Sequence, residues 1–446
     1  MDAIDQKHAQ MTQTPVEKLI CRLAVPCIIS MLVTSFYNMA DTFFVGQLKS
    51  NAATGAIGVV FSMMAIIQAI GFFFGQGSGT FISRALGQKN QQQAQEMAAT
   101  AFFISMALGV VIAVLGLIFL EPLAYLLGST DTILPYTKEY LGVILLGTPW
   151  IVSSFVLNNQ LRFQGGAFYA MIGITAGAVL NIILDPIMIF SLNLGVAGAG
   201  WATIIGQFLS FCLLYAGCVR GGNIPIRLRN VRLRGVYFRG IVQGGLPSLA
   251  RQCLASLATI CLNHAVKPYG DAAIAAMGVV QRITMFGAST MLGFGQGFQP
   301  VCGFNYGAGL YDRVKKGFWF CVKVSFCFLV VIAAAGYAFA PQLIRLFRND
   351  VDVVTFGTAA LRFQCITFPL QSWIVMSNMM EQSMGRTVPA TFLSIARQGI
   401  FFIPMVLILP LFFKETGIQV AQSAADLFTF LCSIPIQIYV LRHMEK

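Results

Sequence analysis

Two carboxylates stand where carboxylates are expensive to keep. Asp41 and Asp185 each fall within a long apolar stretch, and an ionised side chain near the middle of a bilayer costs roughly 2.5 to 3.5 kcal/mol. Such groups are retained for what they bind or move, which makes each one a functional candidate. Asn181 lies one helical turn before Asp185 on the same face, and Tyr37 and Asn38 stand one turn before Asp41. An amide and a phenol are thus within reach to hydrogen-bond whatever the acids hold. Pro186 follows Asp185 directly; lacking an N–H, it can leave the Ile182 carbonyl free for a cation, a water or a bent-helix partner. Two nearby carboxylates in a medium of low dielectric disfavour double ionisation. The pair should therefore hold a proton at neutral pH, or bind sodium if both stay ionised.

The second half of the chain carries a different set. It repeats the first, yet the positions 220 or so residues beyond Asp41 and Asp185 are apolar or small, so the acids are not duplicated. Arg251, Arg282, Arg397 and Asp426 appear inside apolar stretches instead, with Gln281 beside Arg282 and Gln398 beside Arg397. They are candidates for a substrate cavity, together with Tyr37 and Asn38. Arg397 and Asp426, on neighbouring spans, are expected to form a buried ion pair. Glu381 is expected at the membrane edge, since Gly385 and Arg386 follow it. Pro26, Pro186 and Pro247 are candidate helix-bending positions. Nothing here resembles a catalytic centre: His8 and His264 stand alone, and no nucleophile, base or metal-ligand spacing accompanies them. The FGQG runs at Phe74–Gly77 and Phe294–Gly297 lack the following GKS or GKT of a phosphate loop, and read as close helix contacts.

Those side chains must be held by membrane helices. Of 446 residues, 57% are hydrophobic and 10% charged, against roughly 25% charged in soluble domains. Apolar runs of roughly 20 residues, the length that crosses a bilayer, recur about twelve times. The spans are read at 17–46, 54–83, 97–120, 138–161, 168–191, 196–219, 239–265, 275–303, 317–340, 355–379, 388–413 and 417–441. An even number puts both termini on one side. The net charge of +12 could suggest nucleic acid, but its distribution argues for orientation. With the N-terminus inside, about 18 of the 29 Lys and Arg residues fall on the cytoplasmic side. The first fifteen residues lack the basic region, apolar core and cleavage site of a signal peptide. The eleven cysteines are scattered singly and read as reduced packing residues.

The internal repeat keeps one register over a long distance. Asn51–Val60 (NAATGAIGVV) matches Asp271–Val280 (DAAIAAMGVV). At the same offset Gly87 matches Gly307, Pro149 matches Pro369, Asn158 matches Asn378 and Gly165 matches Gly385; Pro26 and Pro247 match with a slip of one position. Six spans per copy insert the copies in the same orientation, related by an axis along the membrane normal, with a cavity between them. The fold expected is an all-α membrane protein of twelve transmembrane helices in two pseudo-symmetric six-helix lobes with a central cavity: residues 1–219 an N-lobe, 220–238 a cytoplasmic basic linker, and 239–446 a C-lobe.

Five segments carry a resemblance that extends over essentially the whole chain: Tyr37–Gly46 (YNMADTFFVG), Gly77–Gly87 (GSGTFISRALG), Leu180–Pro186 (LNIILDP), Gly195–Thr203 (GVAGAGWAT) and Ser394–Pro404 (SIARQGIFFIP). In these the chain resembles the multidrug and toxic compound extrusion (MATE) family. The resemblance implies secondary active efflux of amphipathic, mostly cationic organic compounds, driven by inward proton or sodium movement. By similarity Asp41 and Asp185 are the acids of cation coupling, with Asn181, Thr203 and Asn158 as neighbouring ligands and sodium held only transiently. The family's other arrangement uses acids in helices 7 and 10, where span 7 has none and span 10 offers Gln371 and Ser372. No cofactor is implied beyond the ion gradient. The partners implied are small-molecule substrates and the lipid bilayer, with no nucleic acid, for a monomer in the bacterial cytoplasmic (inner) membrane with both termini inside. The alternative is a flippase for a lipid-linked head group, which the intramembrane arginines would suit; the paired acids favour cation exchange.

Overall fold

The computed structural model describes residues 3–47 and 51–444, without the side chains at 3–5, 42, 45, 46, 51, 53 and 54, and among these residues there is no strand. A short helix, α1 (Ala3–Gln13), precedes the first span α2 (Val16–Gly46). The first half continues with α3 (Asn51–Gly87), α4 (Gln91–Ile118), the short α5 (Leu120–Leu126), α6 (Leu134–Phe163), α7 (Ala167–Pro186) and α8 (Gly195–Cys218). The second half holds α9 (Gly235–Val266), α10 (Asp271–Gly307), α11 (Tyr311–Ala338), the short α12 (Ala340–Phe347), α13 (Val351–Thr367), α14 (Gln371–Met384), α15 (Thr387–Ile395) and α16 (Ile403–Arg442). Helix is what apolar sequence of this length must form in lipid, because each backbone N–H and C=O has to be satisfied within its own segment.

Among the described residues eleven helical stretches are long and apolar enough to cross a membrane, and the last of them resolves the difference from the twelve expected. Thr387–Arg442 is 56 residues, about 84 Å if straight at 1.5 Å per residue, nearly three times the hydrocarbon thickness. It is not straight. Lys414 leaves helical geometry at φ 50° and ψ −128°, and Gly417 folds back against the Leu409 backbone. Arg386 Nη2 then donates to His443 O at 2.6 Å, tying the start of the stretch to its end. Two antiparallel spans result, which makes twelve in two halves.

The repeat read from sequence is also a repeat of contacts. Asn158 Nδ2 donates to Ala170 O at 3.3 Å, and its repeat partner Asn378 donates through Nδ2 to the equivalent carbonyl, Ala390 O, at 2.6 Å. The halves meet through α2 on α10 and α3 on α9. Where α3 and α10 end, a side chain at Gly87 would overlap the Phe304 carbonyl and one at Gly307 the Arg84 carbonyl, again equivalent positions of the two copies. Only glycine allows this approach. Eight helical turns away on the same face of these two helices, Gly58 and Gly278 have open space around them. The halves are therefore closed at one end and part toward the other. Consistent with that, every residue of α10 from Gly295 to Asn305 is buried, whereas Gln281, Arg282 and Met285 are exposed.

At the closed end α1 touches both halves. His8 bonds the Gly87 carbonyl at 3.1 Å, Lys7 Nζ donates to Asn223 Oδ1, and Asn305 Nδ2 donates to Met11 O at 3.2 Å. The connection between halves is pinned to the first one: Ile224 N donates to Gln164 Oε1 at 2.7 Å and Arg232 N to Thr100 Oγ1 at 3.0 Å. Helix α9 begins at Gly235, so it takes in the end of the linker read as 220–238.

Candidate cation site and inter-lobe cavity

Helices α7 and α8 cross closely because both contribute glycine at the crossing. A side chain at Gly177 would meet the Gly206 carbonyl, one at Gly206 the Gly177 carbonyl, and Ser210 Oγ closes the contact by donating to Gly173 O at 2.7 Å. One turn beyond, Asn181 Nδ2 reaches Thr203 Oγ1 at 3.3 Å. Another turn along α7 stands Asp185. Pro186 then ends the α-helix and the chain continues as a π-helical turn, Ile187–Ser191, a widening common at functional sites. The bend expected at Pro186 takes this form. Pro26 and Pro247 lie inside α2 and α9, which run on through them.

Tyr37, Asn38 and Asp41 face this crossing from α2, which packs along α7. Asp41 is 2% exposed and Asp185 is fully buried, and the two carboxylates interact electrostatically, with the phenols of Tyr37 and Tyr140 near both. Asp41 Oδ1, both oxygens of Asp185 and the Asn181 carbonyl oxygen have no hydrogen-bond partner among the described residues. Beside them lies a cavity of about 310 Å³ whose polar wall includes Tyr37, Asn38, Gln68, Asn181, Thr203 and Gln207. Oxygen donors of this kind suit a proton or a hard cation such as sodium.

Of the residues singled out in the sequence, Asp41, Asp185, Asn181, Thr203, Tyr37 and Asn38 thus come together. Asn158 lines a second cavity instead, between the halves, and its amide is spent on Ala170 O. Arg397 Nε pairs with Asp426 Oδ1 at 2.8 Å, as expected. Gln371 Nε2 and Gln422 Nε2 complete the carboxylate at 2.9 and 3.0 Å, so the last span delivers an acid to the place where span 10 has only an amide. Gln281 and Arg282 are exposed on α10. Glu381, in the last turn of α14, is fully buried, and neither of its oxygens is hydrogen-bonded among the described residues, because the other helices enclose the end of this one.

The inter-lobe cavity, about 320 Å³, is lined by Arg162 and Arg251 together with Gln76, Gln296 and Gln299. Arg162 escaped the sequence reading. It sits just past the expected end of span 4, where an arginine reads as a loop charge, but α6 continues to Phe163 and leaves it 2% exposed. An amphipathic count extended by one more turn would have included it.

The sequence profile of the MatE family matches residues 26–187 and again residues 247–408, so that one profile accounts for both copies of the repeat. The chain is 27% identical to the multidrug export protein MepA of Staphylococcus aureus (strain MSSA476) over 98% of this chain and 97% of that one. Among solved structures it is similar to a MATE transporter crystallised with MaL6, at a TM-score of 0.93 and 25% identity, covering 100% of this chain and 99% of that chain. It is likewise similar to an outward-facing multidrug resistance MATE transporter of the MOP superfamily, at a TM-score of 0.92 and 26% identity over 98% of both.

Proposed function

Since the chain belongs to the MATE family of multidrug efflux transporters, we propose that it is an antiporter exporting amphipathic, mostly cationic organic compounds in exchange for protons or sodium ions. It works as a monomer in the bacterial cytoplasmic membrane, with both termini and the arginine-rich linker on the inside. Residues 1–219 and 239–446 act as the two lobes. One observation carries the coupling: four acceptor oxygens, Asp41 Oδ1, Asp185 Oδ1 and Oδ2 and Asn181 Oδ1, are buried without a donor among the described residues. Unsatisfied acceptors in a low-dielectric interior are costly, and a charged pair of them more so. A proton or a cation relieves that cost.

In this orientation the closed end faces the cytoplasm and the parted end faces outside, so the acids are loaded from the side where protons or sodium are abundant. Loading lowers the repulsion between Asp41 and Asp185 and lets α2 and α7 close around a neutralised pair. A substrate cation in the adjoining cavity competes for the same negative charge. Coupling arises when the two states of the lobes differ in affinity for the two competitors. The test is export from liposomes under an imposed proton or sodium gradient. Asp41→Asn and Asp185→Asn should each abolish gradient-driven export at undiminished membrane expression, since each removes a costly charge. Export at the unmutated rate by both variants would leave the acids a structural role and sink the assignment.

A further inference from the structure

Both arginines of the inter-lobe cavity lack a counter-ion. Arg162 Nη2 donates to Asn159 Oδ1 at 2.7 Å, its guanidinium lies 5.2 Å from the Phe163 ring centroid, and its Nε has no partner. Arg251, on α9, makes only long contacts, 3.4 Å to Asn378 Oδ1 and 3.4 Å to Ser248 Oγ. Among the described residues neither has a carboxylate within ion-pair distance, although Arg397 in the same half as Arg251 does. The two guanidiniums are near enough to interact with each other, and they remain charged in any protein environment. Two like charges facing one enclosed space, without a paired acid, are costly unless an anion enters.

Pseudo-symmetry does not account for them. Arg162 corresponds to Gln382 in the other half, and Arg251 to Ser30, so each lobe contributes one cation that its repeat partner lacks. The cavity they share adjoins the one beside Asp41 and Asp185, with Thr34, Asn38, Gln68, Phe155 and Ile174 common to both walls. Gln76 Oε1 and Gln299 Oε1, on its wall, are also unpartnered, and accept from an N–H or O–H of the same occupant.

We infer that the inter-lobe cavity is an anion site, in which Arg162 and Arg251 clasp a carboxylate or phosphate group from opposite lobes. It extends the transport reading to compounds that carry an anionic group besides an apolar body. The acids beside one cavity and the arginines in the other then divide the recognition of a zwitterion. Because a bound anion bridges the lobes, its release accompanies their separation.

Equilibrium binding tests this without a gradient, and so independently of whether Asp41 and Asp185 couple transport. Purified full-length protein in phosphatidylcholine nanodiscs is titrated with pyrenebutyrate and with its uncharged methyl ester. The acid should bind about tenfold or more tightly than the ester, the ordinary scale of a charge-assisted hydrogen bond. Arg162→Gln with Arg251→Gln should bring the acid down to the ester's affinity and leave ester binding unchanged, which shows that the variant is folded. Displacement of bound pyrenebutyrate by phosphatidylglycerol added to the nanodisc, but not by glycerol phosphate in solution, makes a lipid head group the occupant; the reverse makes it a soluble anion. Equal affinity for acid and ester in the unmutated protein, or an acid preference that survives the double substitution, overturns the inference.

Discussion

An asparagine in a membrane helix looks the same in sequence whether it ligates a cation or pins one helix to another. Asn158 does the second, since its amide reaches the Ala170 carbonyl just as Asn378 reaches Ala390; a repeated residue with a repeated partner reports the fold, whereas Asp41 and Asp185, which are not repeated, report the site. Asn158→Ala and Asn378→Ala should each cost about 1 kcal/mol of stability, the net worth of a hydrogen bond, read as a lower melting temperature in detergent. Gradient-driven export by the Asn158→Ala protein should keep its dependence on proton or sodium concentration; a shift in that dependence would make Asn158 a ligand after all. The acids, Asn181 and their neighbours Tyr37 and Asn38 on α2 were legible because charge inside an apolar run has few explanations. Arg162 was not, because its meaning turns on whether α6 stops just before it or just after. The burial of Glu381 was hidden for the related reason that distance along a span says how deep a residue lies but not what packs around it.

At the level of helices, apolar length located all twelve spans but not how they join, bend or dock. The reversal at Lys414, between Pro410 and Gly417, is marked in the sequence only as a break between two spans, and the π-helical turn around Arg397 has no proline within it to announce it. Helix α1 was invisible as a device: it is polar, lies before the first span, and gains its role only where it meets both halves. Lys7 makes that docking sensitive to pH. Burial pushes its ammonium down from the ordinary 10.5 to about 8, against the weaker opposite pull of the Cys218 sulfur. Between about pH 8 and 10.5 the released helix therefore holds a proton that the docked helix has given up. Docking must strengthen as pH rises through that window, by at most about tenfold per unit, and is weakest below it. His8 on the same helix meets a carbonyl rather than a charge. A spin label at the exposed Gln6 should lose mobility as pH is raised from about 8 to 10.5, and Lys7→Met should hold the label immobile throughout. A label that responds identically in both proteins would place the sensitivity elsewhere.

The molecule as a whole is two copies of one fold made unequal by charge: Asp41 and Asp185 in the first half without counterparts in the second, and uncompensated arginines one from each half where the halves meet. The glycine contacts of Gly87 and Gly307 seal one end of the seam with equivalent backbone from both halves, and the proposed exchange requires a second arrangement in which that end parts. The unequal charges supply the bias between those arrangements, since only a ligand that differs in affinity for them can shift the balance. If the halves must part at their closed end for substrate to enter, a bond across the seam should stop transport without touching the acids or the arginines. Ser35 on α2 and Ser289 on α10 offer the place: their hydroxyls lie 3.0 Å apart, both residues buried, within reach of disulfide geometry after small movement. In a background with the eleven native cysteines replaced, Ser35→Cys with Ser289→Cys should export normally when reduced. Oxidation should abolish export, reductant should restore it, and each single cysteine should be indifferent to both. Binding of substrate from the open side should survive the cross-link, because the disulfide fixes the arrangement already present. A cross-linked protein that still exports under a gradient would mean that the halves need not separate along α2 and α10, and that the route lies within one half.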